Sequence, residues 1–152
     1  MKRALWMAGV FLAGLALGAS LAAANAAPVR KHINLPGRAV AAPFSDAVLV
    51  GDTLYLAGRI GFVPGTRTLP ATAEEEAKNV LDQFKAVLAE AGMTMDDLVS
   101  VQVFCSDVKL FDTWNKVYPA YFGKELPARA FVGSGPLLFG ARFEMQAIAV
   151  RR

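Results

Sequence analysis

The clearest pattern of apolar positions in the chain is helical and lies between residues 72 and 92. Apolar residues recur there every three or four positions, which places them on one face of an α-helix. Thr72 and Glu75 form a capping box at its start, and Gly92 predicts its end. The face predicted to be buried consists of Ala77, Val80, Leu81, Phe84, Val87, Leu88 and Ala91, and the face predicted to be solvated carries Glu76, Lys78, Asn79, Asp82 and Lys85.

Shorter apolar stretches on either side of this helix have the composition of β-strands. The segment AVLVGDTLYLAG contains two β-rich runs around Gly51-Asp52, which predicts a hairpin. LVSVQVFCSD predicts a third strand, and ARAFVGS and RFEMQAIAV predict the last two. A second helix is expected over LFDTWNKVYPAYFG, with Pro119 kinking it or lying near its end and with its inward side formed by Phe111, Trp114, Val117 or Tyr118, and Phe122.

The resulting order, β-β-α-β-α-β-β, predicts an α+β fold with both helices on one face of a sheet. The sequence shows no interior linker and no repeat, so residues 27–152 are predicted to form a single domain. Few segments remain to cover the opposite face of the sheet, and self-association through that face is the economical solution.

The first 26 residues differ in composition from the rest of the chain. Lys2 and Arg3 precede a strongly apolar stretch over residues 5–17, and small residues follow, ending in the Ala-Asn-Ala of residues 24–26. This is the pattern of a secretory signal peptide, which predicts cleavage after Ala26 and delivery to the periplasm. An uncleaved membrane anchor is the alternative, since the uncharged run is just long enough to span a bilayer.

Charge and side-chain chemistry argue against several classes of function. The first 26 residues hold two of the sixteen basic residues and none of the thirteen acidic ones, which leaves fourteen against thirteen, a net charge of +1, for the remainder. With no basic, aromatic-rich track, nucleic-acid binding is not expected. Cys105 is the single cysteine, so an internal disulfide is excluded, and together with the single histidine, His32, it cannot form a typical zinc site. Cys105 lies in an apolar strand and is expected to be buried rather than nucleophilic.

Two charged residues stand in otherwise apolar strands. Arg129 lies within PARAFVGSG, and alternation along RFEMQAIAV places Glu144 on the same face as Gln146. A guanidinium can hold a carboxylate through two hydrogen bonds, and a carboxylate can orient or deprotonate a water. From the residues alone, a structural salt bridge between Arg129 and Glu144 on neighbouring strands is favoured over a catalytic pair.

Five motifs resemble those of the RidA family (reactive intermediate deaminase A, also called YjgF), over residues 43–152. AGRIG is similar to the family's S-G-Q-I-P, VFCSD to its V-F-x-x-D, and WNKVYPAYF to its N-x-x-Y-x-x-F-F helix. PARAFV and FEMQAIAV resemble the two most specific signatures of the family, P-A-R-[ST]-x-V and [IV]-E-[IV]-E-A-I-A.

The resemblance implies a homotrimer of chorismate-mutase-like subunits with a pocket at each subunit interface. It also implies hydrolysis of 2-imino and 2-enamino acids to 2-keto acids and ammonia, with no cofactor and no metal. Arg129 falls on the arginine that grips the substrate carboxylate, and Glu144 falls on the glutamate that places the attacking water. Asn115 matches a position read as structural support, and the residues expected to line the pocket are Phe44, Ala57, Gly58 and Phe131.

Several positions depart from the family pattern. Phe44 stands where tyrosine is frequent, Ala57 and Arg59 replace serine and glutamine, Phe131 replaces a smaller residue, and Gln146 replaces a glutamate. We therefore expect a more apolar pocket with fewer hydroxyl groups. Two alternatives stay open: a non-catalytic module that binds small carboxylates such as 2-keto acids, and a ribonuclease, which the near-neutral charge of residues 27–152 disfavours.

Overall fold

Six strands form a single mixed sheet in the computed structural model, which describes residues 29–37, 42–123 and 125–152. The strands lie in the order β1-β2-β3-β6-β4-β5, and every neighbouring pair is antiparallel except β4 and β5, which are parallel. Their bounds are β1 Arg30–Ile33, β2 Ala47–Val50, β3 Thr53–Ile60, β4 Leu98–Cys105, β5 Ala128–Gly133 and β6 Phe143–Val150.

Two α-helices pack on one face of this sheet: α1 covers Ala73–Glu90 and α2 covers Phe111–Val117. The Oγ1 of Thr72 accepts the backbone N–H of Glu75 at 3.2 Å and its hydroxyl donates to the Glu75 carboxylate at 3.0 Å, which fixes the start of α1. Gly92 follows α1 with a φ of +69°, a conformation that glycine adopts without strain. The predicted start and end of the long helix are therefore confirmed.

The core lies between the helices and the inward-facing residues of the strands. All seven apolar residues predicted for the buried face of α1 are buried, and β6 contributes Phe143, Met145, Ala147 and Ala149 from alternate positions. The Trp114 ring of α2 lies 5.0 Å from the Phe143 ring of β6. On the other face of the sheet, Tyr55, Val132 and Val150 remain 38–50% exposed.

The predicted order of elements is confirmed, with one strand added in front. That strand, β1, pairs with β2, so the observed order is β-β-β-α-β-α-β-β. Arg30, Lys31 and His32 are exposed and only Ile33 is buried, which explains why no apolar alternation marks β1 in the sequence. The architecture is the α+β, chorismate-mutase-like fold, with both helices on one face as expected.

The prediction that Glu76 lies on the solvated face of α1 is wrong. Its side chain is fully buried, and the carboxylate accepts the backbone N–H groups of Arg142 and Phe143 at 2.6 and 3.1 Å. It also pairs with the Arg142 guanidinium at 2.7 Å, and that guanidinium donates to the carbonyls of Pro70 and Ala71. A buried carboxylate is tolerated because three donors replace its water. Glu76 therefore ties α1 to the first residues of β6.

The second helix differs from its prediction at one end. Phe111, expected to face inward, is 43% exposed, whereas Trp114 and Tyr118 are buried as predicted. Pro119 lies in the 3₁₀ turn that follows α2, consistent with its predicted place near the helix end. Exposure of Phe111 follows from its position at the first residue of α2, beside the edge strand β5.

Cys105 is buried at the end of β4, as predicted, and burial raises the pKa of its thiol. The predicted signal peptide, residues 1–26, lies outside the described residues. Within the described ranges, no helix has the length and hydropathy needed to cross a membrane.

Replacing Glu76 by alanine is expected to lower the free energy of unfolding by about 3–5 kcal/mol, because it leaves a partly buried guanidinium and two backbone donors without their acceptor. Glu90→Ala, which removes an exposed carboxylate at the end of the same helix, should change that free energy by less than about 0.5 kcal/mol. Urea unfolding of the two variants measures the difference, and equal effects would contradict the structural role of Glu76.

Candidate functional site

Glu144 is directed away from the core by the alternation of β6. Phe143 and Met145 on either side of it are buried, so its side chain projects from the opposite face of the sheet, where Gln146 also lies, as predicted. Its neighbour on β3 is Ile60, and the β3–β6 pairing shifts between Leu56 and Arg59. That bulge places the backbone of Ala57 and Gly58 next to the Glu144 side chain.

Gly58 makes room for the Glu144 carboxylate. A Cβ atom at residue 58 would collide with the Glu144 Oε1 atom, so only glycine permits this side-chain position. Within the described parts of the chain, the Glu144 carboxylate takes part in no hydrogen bond and no ion pair. An unengaged carboxylate in a depression retains its full capacity to accept hydrogen bonds from a water or a ligand.

The depression around Glu144, which we call the Glu144 cavity, has a volume of about 530 Å³. Phe44, Ala57 and Gly58, which the sequence assigned to a pocket, all line it together with Glu144. The sequence reasoning missed other members of its wall, notably Phe62, Arg67 and Phe139. Their side chains are linked: the Phe62 and Phe139 rings are 5.5 Å apart, and the Arg67 guanidinium lies 5.3 Å from the Phe139 ring.

Arg129 lies on the other side of the sheet. It occupies the edge strand β5 opposite Val101, a core residue, so its side chain turns toward the helices. The Nη2 atom donates to the Asn115 side chain of α2 at 2.8 Å, and the guanidinium lies over the Tyr118 and Phe111 rings at 4.6 and 5.9 Å. These contacts hold the guanidinium plane in place while engaging few of its five N–H donors.

The surroundings of Arg129 are aromatic and partly buried. Burial raises the pKa of Tyr118 to about 12, and the Arg129 charge opposes that rise, so the phenol is neutral at neutral pH. Phe131 shares the face of Arg129, with its ring 5.1 Å from Phe111 and 6.5 Å from Trp114. Asn115, expected to give structural support, is the residue that orients Arg129.

The structure therefore separates the predicted site residues into two groups. Phe44, Ala57, Gly58 and Glu144 lie together, whereas Arg129 and Phe131 lie with α2 on the opposite face of the sheet. The expectation that Arg129 and Glu144 occupy neighbouring strands is wrong, because β4 lies between β5 and β6. No salt bridge joins them within the described chain, so the structural ion pair favoured from the residues alone is also wrong.

Arg59, which replaces a glutamine of the family motif, has a structural partner. Its guanidinium forms an ion pair with Asp46 at 2.8 Å and donates to Gln83 of α1 at 3.3 Å. It thereby connects β3 to the segment before β2 and to the helix layer. Across the described residues, no group of three or more histidine, cysteine or carboxylate side chains is arranged to hold a metal ion.

A protein-family model described as endoribonuclease L-PSP matches residues 36–151. Among characterised proteins, the chain is 39% identical over 125 residues to the 2-iminobutanoate/2-iminopropanoate deaminase of Bos taurus, which covers 81% of this chain and 91% of that protein. It is 36% identical over 110 residues to the human protein of the same name, covering 72% of this chain and 80% of that one.

Solved structures agree with these relatives. The YjgF gene product of E. coli aligns with a TM-score of 0.75 and 33% identity, covering 80% of this chain and 99% of that one. E. coli TdcF with bound serine aligns with a TM-score of 0.74 and 30% identity over 80% of this chain and 99% of that one. With a family model matched over most of its length and relatives above 30% identity, the chain belongs to the RidA/YjgF family.

Proposed function

We propose that the protein hydrolyses 2-imino and 2-enamino acids to 2-keto acids and ammonia, at sites shared between subunits of a homotrimer. The observation that carries this proposal is that one chain presents an unengaged carboxylate, Glu144, on one face of its sheet and an oriented guanidinium, Arg129, on the other. Relatives named 2-iminobutanoate/2-iminopropanoate deaminase at 36–39% identity support the reaction class.

Arg129 is the anchor for the substrate carboxylate. Its donors can form two parallel hydrogen bonds to a carboxylate, while Asn115 and the Tyr118 ring already fix the plane of the guanidinium. Because this orientation exists before the substrate arrives, less conformational entropy is lost on binding. The anchor thereby sets where the C2 atom of the substrate lies relative to a water.

Glu144 is the group that acts on the water. The substrate reacts as its iminium form. Glu144 accepts a proton from the water as the oxygen bonds to C2 and the π electrons of the C=N bond move to nitrogen, giving a neutral carbinolamine. Glu144 then returns this proton to the amino nitrogen and takes up the hydroxyl proton as the C2 carbonyl forms, the C–N bond breaks and ammonia leaves. The proton left on Glu144 equals the one that the iminium brought, and it passes to solvent. One imino acid and one water thus yield one 2-keto acid and one ammonia. An imine carbon is already electrophilic, so positioning and one base are sufficient machinery.

The homotrimer is part of the proposal because one chain cannot bring the two groups together. Glu144 and Arg129 lie on opposite faces of the sheet. Both residues are half-buried, so a second copy could approach either of them. The outward Tyr55, Val132 and Val150 side chains supply apolar area for such contacts. In a closed ring of identical chains, each interface would join Arg129 of one copy to Glu144 of the next.

Imine hydrolysis by the purified protein tests the reaction. An amino-acid oxidase generates 2-imino acids in the assay, and their decay is followed with and without the protein. Glu144→Gln should lower kcat by about 100-fold or more, because the base is lost while the shape is kept. Arg129→Ala should lower kcat/KM by about 100-fold, since two charge-assisted hydrogen bonds are lost. Lys116→Ala removes an exposed cation next to Asn115 and should leave kcat/KM unchanged.

Two results would support the alternatives to the deaminase. Wild-type protein that binds 2-ketobutyrate but does not accelerate imine hydrolysis would instead support a non-catalytic carboxylate-binding module. Cleavage of RNA by wild-type protein, abolished in Arg129→Ala, would support the ribonuclease suggested by the description of the family model.

Mixing inactive chains tests whether the site is shared. When Arg129→Ala and Glu144→Gln chains are unfolded together and reassembled, about a quarter of the interfaces in random trimers should contain both native residues. Activity should therefore rise to about a quarter of the wild-type level, although each variant alone is inactive. Recovery of mixed trimers through two different affinity tags, with no return of activity, would contradict a site that combines Arg129 of one copy with Glu144 of the next.

We also propose that the protein is exported to the periplasm. The composition of residues 1–26 supports this, with two cations ahead of an uncharged apolar stretch and small residues before residue 27. The expected result is an N-terminus at Ala27 in protein recovered from the periplasmic fraction. An intact N-terminus in the membrane fraction would indicate the anchor, and an intact N-terminus in the cytoplasm would refute export.

A further inference from the structure

The proposed roles of Arg129 and Glu144 account for the carboxylate and the reacting carbon of the substrate but not for its side chain. The position of the side chain follows from the other two. The C2 atom of a 2-imino acid carries the carboxylate, the nitrogen and the side chain. If the carboxylate points toward Arg129 of a neighbouring copy and Glu144 delivers water to C2, the side chain begins within a bond length of the reacting carbon. The space next to Glu144 on its own chain is the Glu144 cavity.

The surface that lines this cavity is mainly apolar. Three phenyl rings line it, those of Phe44, Phe62 and Phe139, and Ile60 and Leu138 add aliphatic side chains. The polar lining residues Asp46 and Gln83 are both engaged by Arg59, through an ion pair and a hydrogen bond. Phe44 and Phe139 are 57% and 60% exposed in the single chain, so both rings leave apolar surface available for contact. The volume of about 530 Å³ falls in the range of pockets that enclose ligands much larger than a three- or four-carbon imine.

Phe139 occupies a backbone position that does not favour phenylalanine. Its φ is +61°, Gly140 follows with a φ of +74°, and the Ala141 N–H donates to the Leu138 carbonyl at 3.2 Å. This is the geometry of a type I′ turn, whose first central position favours asparagine, aspartate or glycine. A bulky residue held at positive φ is uncommon and concentrates at ligand-binding segments.

Two neighbours fix the Phe139 ring over the cavity. The Phe62 ring packs edge-on at 5.5 Å, and the Arg67 guanidinium lies 5.3 Å from the ring centre. Arg67 is exposed, and in the described part of the chain it forms no ion pair. Its contact with Phe139 therefore accounts for its orientation.

From these observations we infer that the Glu144 cavity binds the side chain of the substrate and makes the protein selective for 2-imino acids with a bulky apolar side chain. Phe139 is the principal selectivity residue, and Arg67 is a positioning residue that acts through it. The predicted preference in kcat/KM rests on the proposed deaminase activity. The cavity would impose the same preference on the binding of 2-keto acids, which requires no turnover.

The test compares imines generated from alanine, leucine, phenylalanine and aspartate. In the wild type, kcat/KM for the leucine- or phenylalanine-derived imine should exceed that for the alanine-derived imine by about 10-fold or more, since each buried methylene adds discrimination. Phe139→Ala should remove most of that preference, so that the ratio of the kcat/KM values for the leucine- and alanine-derived imines falls to about 3-fold or less. Arg67→Ala should weaken the preference in the same direction but less strongly.

Phe139→Asn separates the loss of the ring from a failure to fold. Asparagine suits positive φ in a type I′ turn, so this variant should keep or raise the thermal midpoint while losing the preference for bulky substrates. Leu126→Ala, which trims another exposed apolar side chain outside the Glu144 cavity, should leave the ratio of substrates unchanged. A Phe139→Asn variant that retains the preference would overturn the inference.

Binding of the 2-keto acid products keeps the two proposals distinguishable. Phenylpyruvate and 4-methyl-2-oxopentanoate should bind more tightly than pyruvate by calorimetry, whether or not the protein turns over imines. No turnover with this order of affinities would refute the deaminase and support the cavity. Turnover with a preference for the alanine-derived imine would support the deaminase and refute the proposed selectivity of the cavity.

A preference for the aspartate-derived imine would also refute the proposed selectivity for apolar side chains, and would assign Arg67 to binding an acidic side chain. A Phe139→Asn variant that changes only subunit assembly would also refute it, by assigning the ring to an interface.

Discussion

A sheet that helices cover on one face buries only every second side chain of each strand, and this constraint governs where the charged residues of the chain can lie. Strand β6 buries Phe143, Met145, Ala147 and Ala149 against the helices, which leaves no direction for Glu144 except away from the core. Strand β5 is in register with β4 through Val101, so Arg129 must turn toward the helices instead. The two charges therefore lie on opposite faces of one sheet, and no rearrangement of side chains within a folded chain can bring them together.

The outward position of Glu144 depends on local departures from regular packing. The shift in β3–β6 pairing beside Ala57 and Gly58, together with the missing side chain at residue 58, provides the space for the carboxylate. Glu76 acts from the other side of the sheet, where its carboxylate binds the backbone of Arg142 and Phe143 immediately before Glu144. Buried, charge-assisted hydrogen bonds of this kind limit how far the first residues of β6 can move.

The spacing of apolar residues and the chemistry of turn residues were sufficient to predict most of the fold, and the exceptions have physical causes. The long helix and the Gly51 hairpin followed from apolar spacing and glycine. Strand β1 did not, because three of its four residues are exposed and polar. Glu76 was predicted on the wrong face because a helical period cannot reveal a partner 66 residues away.

The same limit applies to the site. Alternation predicted the face on which Glu144 lies, but the order of the strands depends on long-range pairing, and in that order β4 lies between Glu144 and Arg129. Phe62, Arg67 and Phe139 come from loops whose proximity no local pattern encodes, although a phenylalanine preceding glycine in LLFGAR is a weak sign of a turn.

On the proposed function, the site is divided between chains, and each chain orients its own half. Asn115 and the Tyr118 ring orient Arg129 within its own subunit, and the bulge and Gly58 orient Glu144 within the same subunit, so each half is prepared before assembly. On the proposed function, assembly then needs only to set the distance between two groups that are already aligned. Under the same proposal, the cost of ordering these two groups is met during folding, and substrate binding would lose little further entropy. A simple reaction at an electrophilic carbon suits this arrangement, because accurate placement of one carboxylate, one guanidinium and one water can substitute for a cofactor.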